Sequence, residues 1–273
     1  MNNWGFTLNN VTASWSENSK NILERVTFEF NIRDASTAAL PLMGPSGQGK
    51  STLLYLLAAL KLPSAGTVTW RFPDDPNPYI FGQSLRPNDI VQLRRHRFGF
   101  AFQSSTLSKY LTVIENIAYP LLLQGKKWDQ ALEVAKATFK DVLLPSETKN
   151  EKNLMDLMDS FPSQLSGGQR QRVALAQAII HNPCVLFADE PTGQLDVKTR
   201  KQVMGVLKQW VENGQGKRCL IWVTHHNMGD LKLMDVNDFF FIEEKKCVRR
   251  DRTWLENWIE GEQASTTPKP FGT

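Results

Sequence analysis

An alternation of apolar and polar residues opens the chain and predicts a β-hairpin. Residues 6–15 alternate in this way, as a half-buried strand does, and residues 22–32 repeat the pattern. The stretch 16–21 between them is polar and turn-like, so it can join two antiparallel strands. We therefore expect the chain to begin with an antiparallel β element.

Short apolar runs further along the chain predict strands of another kind. Runs with few or no polar residues are typical of strands buried on both faces of a parallel sheet. Such runs occupy residues 38–43, 184–188 and 219–223, and further strands are predicted at 67–72 and 98–102. Pro41 lies inside the first run. Because proline cannot donate a ladder hydrogen bond, we expect a bulge or a lost bond there.

Helical periodicity appears between these strands. Thr112 and Glu115 form a capping-box signature, and we expect a helix over 113–124 directly after it. Apolar residues then recur at helical spacing over 128–139. We therefore predict a helical insertion over about 104–164, placed between two strand-bearing regions.

The order of the remaining elements predicts the architecture. Helices are expected over 170–181 and 197–213, and each is followed by a buried strand that ends in polar residues. Strands that alternate with helices are typical of a mostly parallel α/β sheet, which carries its site at the carboxyl ends of the strands. Residues 239–248 are expected to close an edge of that sheet.

The last part of the chain differs in composition. From 251 to 273 we predict a charged tail, partly disordered, with Trp254 and Trp258 four positions apart on a possible short helix. Residues 261–273 are expected to be disordered.

Composition and charge narrow the function classes. The 273 residues are 41% apolar, enough for one large core or two modest lobes, and the net charge of +4 is too mild to argue for nucleic acid. The three cysteines are odd in number and lack metal-site spacing, so we expect reduced thiols. The N-terminus has no signal-peptide pattern, and no apolar run approaches the ~20 residues of a membrane span.

The stretch from Gly44 to Ser51 fits the pattern G-x-x-x-x-G-K-[ST], between an apolar strand and an apolar helix. Its glycines let backbone N–H groups turn toward a phosphate chain, and the helix N-terminus adds more. Lys50 supplies a charge for the β- and γ-phosphates, and Ser51 is placed to hold Mg²⁺. The predicted nucleotide-binding residues are Gly44, Ser46, Gly47, Gln48, Gly49, Lys50, Ser51 and Thr52, with Trp15 as an aromatic that can stack on a base.

The chain resembles the ATP-binding subunits of ABC transporters over about residues 4–248. The resemblance is carried by six motifs in order: the phosphate loop, Gln103, the unaltered Leu-Ser-Gly-Gly-Gln at 165–169, the acidic strand end at 184–190, the loop 193–196, and His225. It implies an ABC ATPase domain over 1–250, with a RecA-like P-loop core, an antiparallel β subdomain and an α-helical subdomain at 104–164.

The resemblance also implies a role for each motif. Glu190, His225 and Gln103 are the expected catalytic residues, and Ser51, Gln103 and Asp189 are expected to hold Mg²⁺ beside ATP. Asp196 is expected to link two sites across a dimer. Two departures from the family pattern, Trp15 at the adenine position and Gln177 in the helix after the signature, touch no catalytic role. The signature residues expected to contact the partner's ATP are Ser166, Gly167, Gly168 and Gln169.

The expected assembly follows from the same resemblance. We expect a head-to-tail homodimer, or a pseudo-dimer with a paralogue, that works on a transmembrane permease subunit. The localisation would be cytoplasmic, at the inner face of the membrane, with no nucleic acid as partner. Residues 98–103, 115–120 and 188–196 are similar to the macrolide-exporting, lipoprotein-releasing and FtsE-type branch, which transmits force mechanically. A soluble ATPase acting on DNA or ribosomes and a purely signalling ATPase are the alternatives.

Overall fold

The computed structural model describes residues 4–16, 19–32, 38–82, 87–102, 107–143, 151–193, 195–224 and 228–266. Among these, no helix is long and apolar enough to cross a membrane. The strands form two sheets of different character.

The smaller sheet is antiparallel and contains the N-terminal hairpin. Its order is β2-β1-β4-β5, and β1 pairs antiparallel with both β2 and β4. The predicted hairpin is therefore confirmed, whereas the short strand β5 was not predicted. These strands are β1 (Gly5–Ala13), β2 (Leu23–Asn31), β4 (Ala65–Arg71) and β5 (Tyr79–Phe81).

The larger sheet is six-stranded and mostly parallel, as predicted. Its order is β10-β9-β3-β8-β7-β6, and only the edge strand β10 is paired antiparallel. Its strands are β3 (Ala39–Met43), β6 (Phe98–Phe102), β7 (Val185–Asp189), β8 (Cys219–Val223), β9 (Asp238–Glu243) and β10 (Lys246–Asp251). The short apolar runs thus lie in the centre of the sheet, where both faces are covered.

Pro41 lies in the central strand β3 without the expected bulge. The register between β3 and β8 runs unbroken from Ala39 to Leu42. Ala38 and Leu42 both direct their carbonyl groups at β8, so the alternate residue Pro41 faces β9. Because the ladder between β3 and β9 begins only at Leu42, the missing N–H group lies at its start and disrupts no shared register.

The helices cover both faces of the larger sheet and form a separate lobe. The capping box at Thr112 and Glu115 is confirmed, and the predicted helices are present with shifts of a few residues at their ends. The short helix α8 was not predicted. The helices are α1 (Lys50–Leu57), α2 (Pro87–His96), α3 (Val113–Leu123), α4 (Trp128–Val142), α5 (Glu151–Asp159), α6 (Gly167–Ile179), α7 (Val197–Glu212), α8 (Met228–Leu233) and α9 (Arg252–Thr266), with a 3₁₀ turn at Pro162–Gln164.

Alternate residues of β7 show which helices lie on which face. Phe187 packs in one core cluster with Leu54 of α1. Leu186 and Ala188 pack in another cluster with Leu175 of α6. Since neighbouring side chains of a strand point to opposite faces, the sheet separates α1 from α6.

The helical lobe has its own apolar cluster. Helices α3, α4 and α5 contribute Ile117, Phe139 and Met158 to it, and one side of α6 contributes Val173 and Ala176. Helix α6 therefore packs on the sheet with one side and on the lobe with the other.

The C-terminal segment is more ordered than its composition suggested. Helix α9 includes the predicted short helix with Trp254 and Trp258 and continues to Thr266. Leu255 is fully buried, and the rings of Trp254 and Trp258 lie 4.7 and 5.4 Å from that of Phe241. The helix is held because its apolar side packs on two aromatic residues of β9. The composition of the tail alone does not reveal this contact.

Candidate nucleotide-binding site

The loop that joins β3 to α1 requires glycine at two positions. Gly44 has φ 138°, and a Cβ there would lie 2.1 Å from the carbonyl oxygen of Ile242. Gly49 has φ 103°, and a Cβ there would lie 2.7 Å from a methyl group of Ile22. Both conformations are costly for residues with side chains, and both positions lie against other parts of the chain, so glycine determines the course of the loop at its two ends.

The start of α1 presents free backbone donors. Gly49 is the residue before the helix and offers no side chain to cap the first N–H groups. These groups and the positive end of the helix dipole are suited to phosphate oxygens. The sequence-predicted residues from Ser46 to Thr52 thus lie together in the loop and the first turn of α1.

Lys50 closes the loop on itself in this structure. Its side chain is buried, and Nζ donates to the carbonyl oxygens of Gly44 at 2.8 Å and Pro45 at 2.9 Å. Burial lowers the pKa of the Lys50 ammonium group, and the charges of Glu190 and Asp189 partly offset that effect. The ammonium group is therefore held at the point where the loop would meet an anion.

Asp189 ends β7 and joins the second acidic motif to the phosphate loop. Ser51 Oγ donates to Asp189 Oδ1 at 3.0 Å, across 138 positions of sequence. Burial raises the pKa of the Asp189 carboxyl above its ordinary value, because the charged form loses solvation; Glu190 adds to this rise, and the hydrogen bonds and Lys50 oppose it. A hydroxyl and a desolvated carboxylate in contact form a hard-oxygen pair of the kind that Mg²⁺ accepts.

Tyr55 also contacts Asp189, and sequence reasoning missed it. Its hydroxyl donates to Asp189 Oδ2 at 3.0 Å. Burial, followed by the charge of Asp189, raises the pKa of Tyr55 to about 12. The available signal was its spacing of four from Ser51, which places the two side chains on one face of α1.

Glu190 follows the strand in a strained backbone conformation. Its φ of 47° lies in the left-handed region, where residues with side chains are uncommon. The N–H of Glu190 donates to the carbonyl of Val223 at 3.2 Å, and its own carbonyl accepts from Gly193. These bonds turn the chain sharply at the end of β7, a kind of strain that clusters at functional sites.

Trp15 lies beside the loop helix with its ring largely exposed. The exposed fraction is 59%, and the ring lies 6.3 Å from that of Tyr55. Lys61 Nζ lies 5.0 Å from the ring centroid. An exposed aromatic next to a phosphate-binding helix can stack on a flat base.

The signature at 165–169 forms the beginning of α6. Ser166 caps the helix by accepting from the Gln169 N–H at 3.2 Å, and Gln169 Oε1 accepts from the Ser166 N–H at 3.0 Å. Ser166 and Gly167 are exposed. A Cβ on Gly167 would meet no described atom within 4 Å, so packing within this chain does not require glycine there.

Helix α6, which begins with the signature, and helix α7, which follows the loop 193–196 (the D-loop), begin side by side. A Cβ on Gly168 would lie 2.5 Å from a methyl group of Thr199, so glycine is needed there for close packing. Asp196 caps α7 by accepting from the N–H groups of Lys198 and Thr199. The Thr199 hydroxyl bond is the main cause of the lowered pKa of Asp196.

The starts of α1 and α6 do not face each other within one chain. Helices α1 and α6 lie on opposite faces of the larger sheet, as the packing of β7 shows. Their axes are therefore roughly 20 Å apart, since a sheet and two helix radii lie between them. Gln103 and His225 lie outside the described residues, so the structure does not place these two predicted site residues.

Comparisons with known proteins agree with the motifs. The family model described as ABC transporter matches residues 26–193. The lipoprotein-releasing system ATP-binding protein LolD of Wigglesworthia glossinidia brevipalpis is 35% identical over 217 residues, which cover 80% of this chain and 86% of LolD. The macrolide export ATP-binding/permease protein MacB of Chlorobium luteolum is 36% identical over 217 residues, which cover 77% of this chain but 28% of MacB.

A solved structure agrees with the fold. The ATP-binding cassette MJ0796 of Methanocaldococcus jannaschii, described as a dimer in a post-hydrolysis state bound to ADP and Pi, superposes with a TM-score of 0.70 and 28% identity. The match covers 90% of this chain and 98% of MJ0796.

Proposed function

The chain belongs to the ABC transporter family as an ATP-binding subunit that hydrolyses ATP, and we propose that two copies close around two ATP molecules to drive a separate membrane subunit. One observation carries this proposal. The two helix N-termini suited to phosphate lie on opposite faces of one sheet, so a single chain cannot direct both at one γ-phosphate. A head-to-tail pair of chains brings the α1 start of one copy to the α6 start of the other.

The phosphate loop binds the nucleotide in this proposal. Backbone N–H groups from Gly44 to Thr52 surround the phosphates, and Lys50 exchanges the carbonyl oxygens of Gly44 and Pro45 for phosphate oxygens. This exchange is favourable because the lysine is already desolvated and gains a partner of full negative charge. Trp15 stacks on the base.

Ser51 and Asp189 hold Mg²⁺ beside the phosphates, with Gln103 as a further ligand. The fit rests on the oxygen pair at 3.0 Å and on the desolvated carboxylate, whose charge a cation would compensate. When bound, the ion would neutralise negative charge that develops on the phosphate during transfer.

Glu190 orients the attacking water and accepts its proton, and His225 contacts the γ-phosphate. Glu190 directly follows Asp189 at the carboxyl end of β7 in a strained backbone conformation, and its charge acts on the Asp189 carboxyl. The charge of Glu190 opposes the burial that lowers the pKa of the Lys50 ammonium group, which supports a position of this carboxylate near the phosphate loop.

The exposed start of α6 completes the partner's site. Ser166 and Gly167 are free to approach the γ-phosphate of the other copy, while Gly168 and Gln169 hold the helix start in shape. Asp196, at the start of the adjacent helix, meets the same interface and couples the two sites. Loss of the γ-phosphate after hydrolysis removes the contact that joins the two chains.

The membrane partner determines where the complex acts. We assign the chain to the inner face of the membrane, in the mechanically transmitting branch, because LolD and MacB are among its relatives. A cytoplasmic helix of the membrane subunit would dock between the core and the helical lobe. Tyr110 is 78% exposed, and Phe102 and Leu107 are half-buried, so these three residues are the candidates for contact with that helix.

A hydrolysis-deficient variant tests the proposal. Glu190→Gln should retain ATP binding, lower turnover about 10²- to 10⁴-fold, and shift the chain from monomer to dimer when ATP is added. Sedimentation and phosphate release measure the two effects, with Glu256→Gln on α9 as the matched control. An ATP-loaded Glu190→Gln chain that sediments only as a monomer, alone and with its membrane subunit, contradicts the proposed dimer.

Purification from native membranes tests the partner. A tagged chain should retain an integral membrane protein after mild detergent extraction. Recovery of ribosomes or nucleic acid without a membrane protein would favour the soluble alternative.

A further inference from the structure

Helix α1 holds both oxygens of the Asp189 carboxylate. Ser51 donates to Oδ1 and Tyr55 donates to Oδ2, each at 3.0 Å. The two donors are four positions apart and therefore lie one helical turn from each other on the same face. One rigid element thus defines the rotation of the carboxylate at the end of β7.

The Tyr55 ring is itself held from two sides. It lies 6.3 Å from the ring of Trp15 and 6.2 Å from the ring of Phe102, with interplanar angles of 78° and 76°. Edge-to-face contacts at these distances are favourable. The hydroxyl is therefore directed at Asp189 by packing that involves the proposed base-stacking residue and the residue before Gln103.

We infer that Tyr55 is a positioning residue for the metal-binding carboxylate. A carboxylate that rotates freely must be ordered when the cation binds, and that ordering weakens binding. With Oδ2 held by Tyr55, Oδ1 remains beside the Ser51 hydroxyl, where both oxygens can meet one cation. The Ser51 oxygen keeps its lone pairs for the cation while its O–H donates to Oδ1.

The inference rests on the proposed Mg²⁺–ATP site and deepens it. Partners that orient a metal ligand are commonly worth 10- to 100-fold in metal affinity. Removing the hydroxyl but keeping the ring should therefore affect the cation far more than the nucleotide. If Tyr55 had only a structural role, removing its hydroxyl would lower the stability without changing the ratio of bound metal to bound nucleotide.

The chain provides a matched control. Tyr79 donates to Asp75 Oδ2 at 2.9 Å on the antiparallel sheet, in the same tyrosine–aspartate chemistry. Tyr55→Phe and Tyr79→Phe each remove one such hydroxyl, but only the first faces the proposed metal site.

Manganese titration followed by electron paramagnetic resonance tests the inference, in the full chain carrying Glu190→Gln and loaded with ATP. Tyr55→Phe should weaken Mn²⁺ binding by about 10-fold, with metal-free ATP affinity within about twofold of the parent. Tyr79→Phe should leave both affinities unchanged. Asp189→Asn should remove the signal of protein-bound Mn²⁺.

Normalising bound Mn²⁺ to bound ATP keeps the test valid if Tyr55→Phe lowers the folded fraction. Parent-like Mn²⁺ affinity in Tyr55→Phe would overturn the role of Tyr55 while leaving the proposed site intact. Absence of ATP binding in the parent would instead overturn the proposed function.

Discussion

Arg200 binds both carboxylate oxygens of the buried Asp230, at 2.9 and 2.7 Å. The Asp230 side chain is 2% exposed, and that of Arg200 is 27% exposed. Arg200 lies in the first turn of α7, which Asp196 caps, and Asp230 also accepts from the Thr224 hydroxyl at the end of β8. The pair therefore joins the start of the D-loop helix to the strand end that leads to His225.

Removing the two partners of this pair should have unequal effects. Arg200→Met leaves a buried carboxylate without its cation and should lower the free energy of unfolding by about 3 kcal/mol, whereas Asp230→Asn leaves a guanidinium that reaches water and should cost about half of that. Denaturant unfolding at neutral pH measures both. The combination Arg200→Met with Asp230→Leu should recover most of the loss, and additive losses would argue against a direct pair.

Lys50→Ala should weaken ATP binding about 30- to 150-fold, because a charge-assisted phosphate contact contributes about 2–3 kcal/mol. Equilibrium binding of a fluorescent ATP analogue measures this loss, with the exposed Lys140→Ala on α4 as control. The loop should remain folded, since Gly44 and Gly49 determine its backbone. Unchanged affinity would place the phosphates elsewhere.

Ser166→Arg should separate nucleotide binding from dimer closure. The substitution adds bulk and charge at the exposed start of α6, which is remote from the phosphate loop of the same chain. In the Glu190→Gln background, ATP affinity of the monomer should be unchanged and the ATP-dependent dimer lost. Thr253→Arg on α9 serves as the control for added charge. A dimer that persists with Ser166→Arg would remove the signature from the interface.

Trp15→Ala should weaken nucleotide binding without changing base preference. Base–aromatic stacking is worth about 1–3 kcal/mol per base, which predicts a loss of about 5- to 150-fold. Stacking does not depend on the hydrogen-bonding edges of the base, so the affinities for ATP and GTP should fall by the same factor. Trp15→Phe should retain most of the affinity. Calorimetry with both nucleotides measures this, and a loss confined to ATP would indicate edge recognition.

His181 should make stability depend on pH. Burial lowers the pKa of His181 below its ordinary value of 6.5, and its Nε2 lies 2.9 Å from the Phe98 carbonyl oxygen, to which the neutral ring donates. The folded state therefore binds the proton less readily than the unfolded state. Its contribution to stability is complete above about pH 6.5 and is lost as the pH falls through the lower, folded-state pKa.

The control for this effect is His181→Gln, which keeps an N–H donor but does not titrate. Thermal unfolding of both proteins between about pH 7.5 and 5 should show a steeper loss in the parent. Equal slopes would mean that another group controls stability in this range.

Local patterns predicted most of the elements that the structure describes. The capping box at Thr112, the strand at 98–102 and the mostly parallel sheet could be read from neighbouring residues, because periodicity and end signals act over a few positions. The short elements β5 and α8 were missed, since so few residues give no periodicity. The length of helix α9 was underestimated because its tryptophans pack on Phe241, which lies outside the tail. The composition of the tail does not include that contact.

The sequence by itself determined which residue types stand at the ends of strands and helices: the phosphate loop, the acidic pair at 189 and 190, and the serine-glycine start of α6. Only the tertiary structure decided which of them meet. The contact between Tyr55 and Asp189 and the separation of α1 from α6 by a sheet depend on strand order and on which face each helix covers. A linear pattern repeats every few residues, whereas these relationships join positions more than a hundred residues apart, so no local period encodes them.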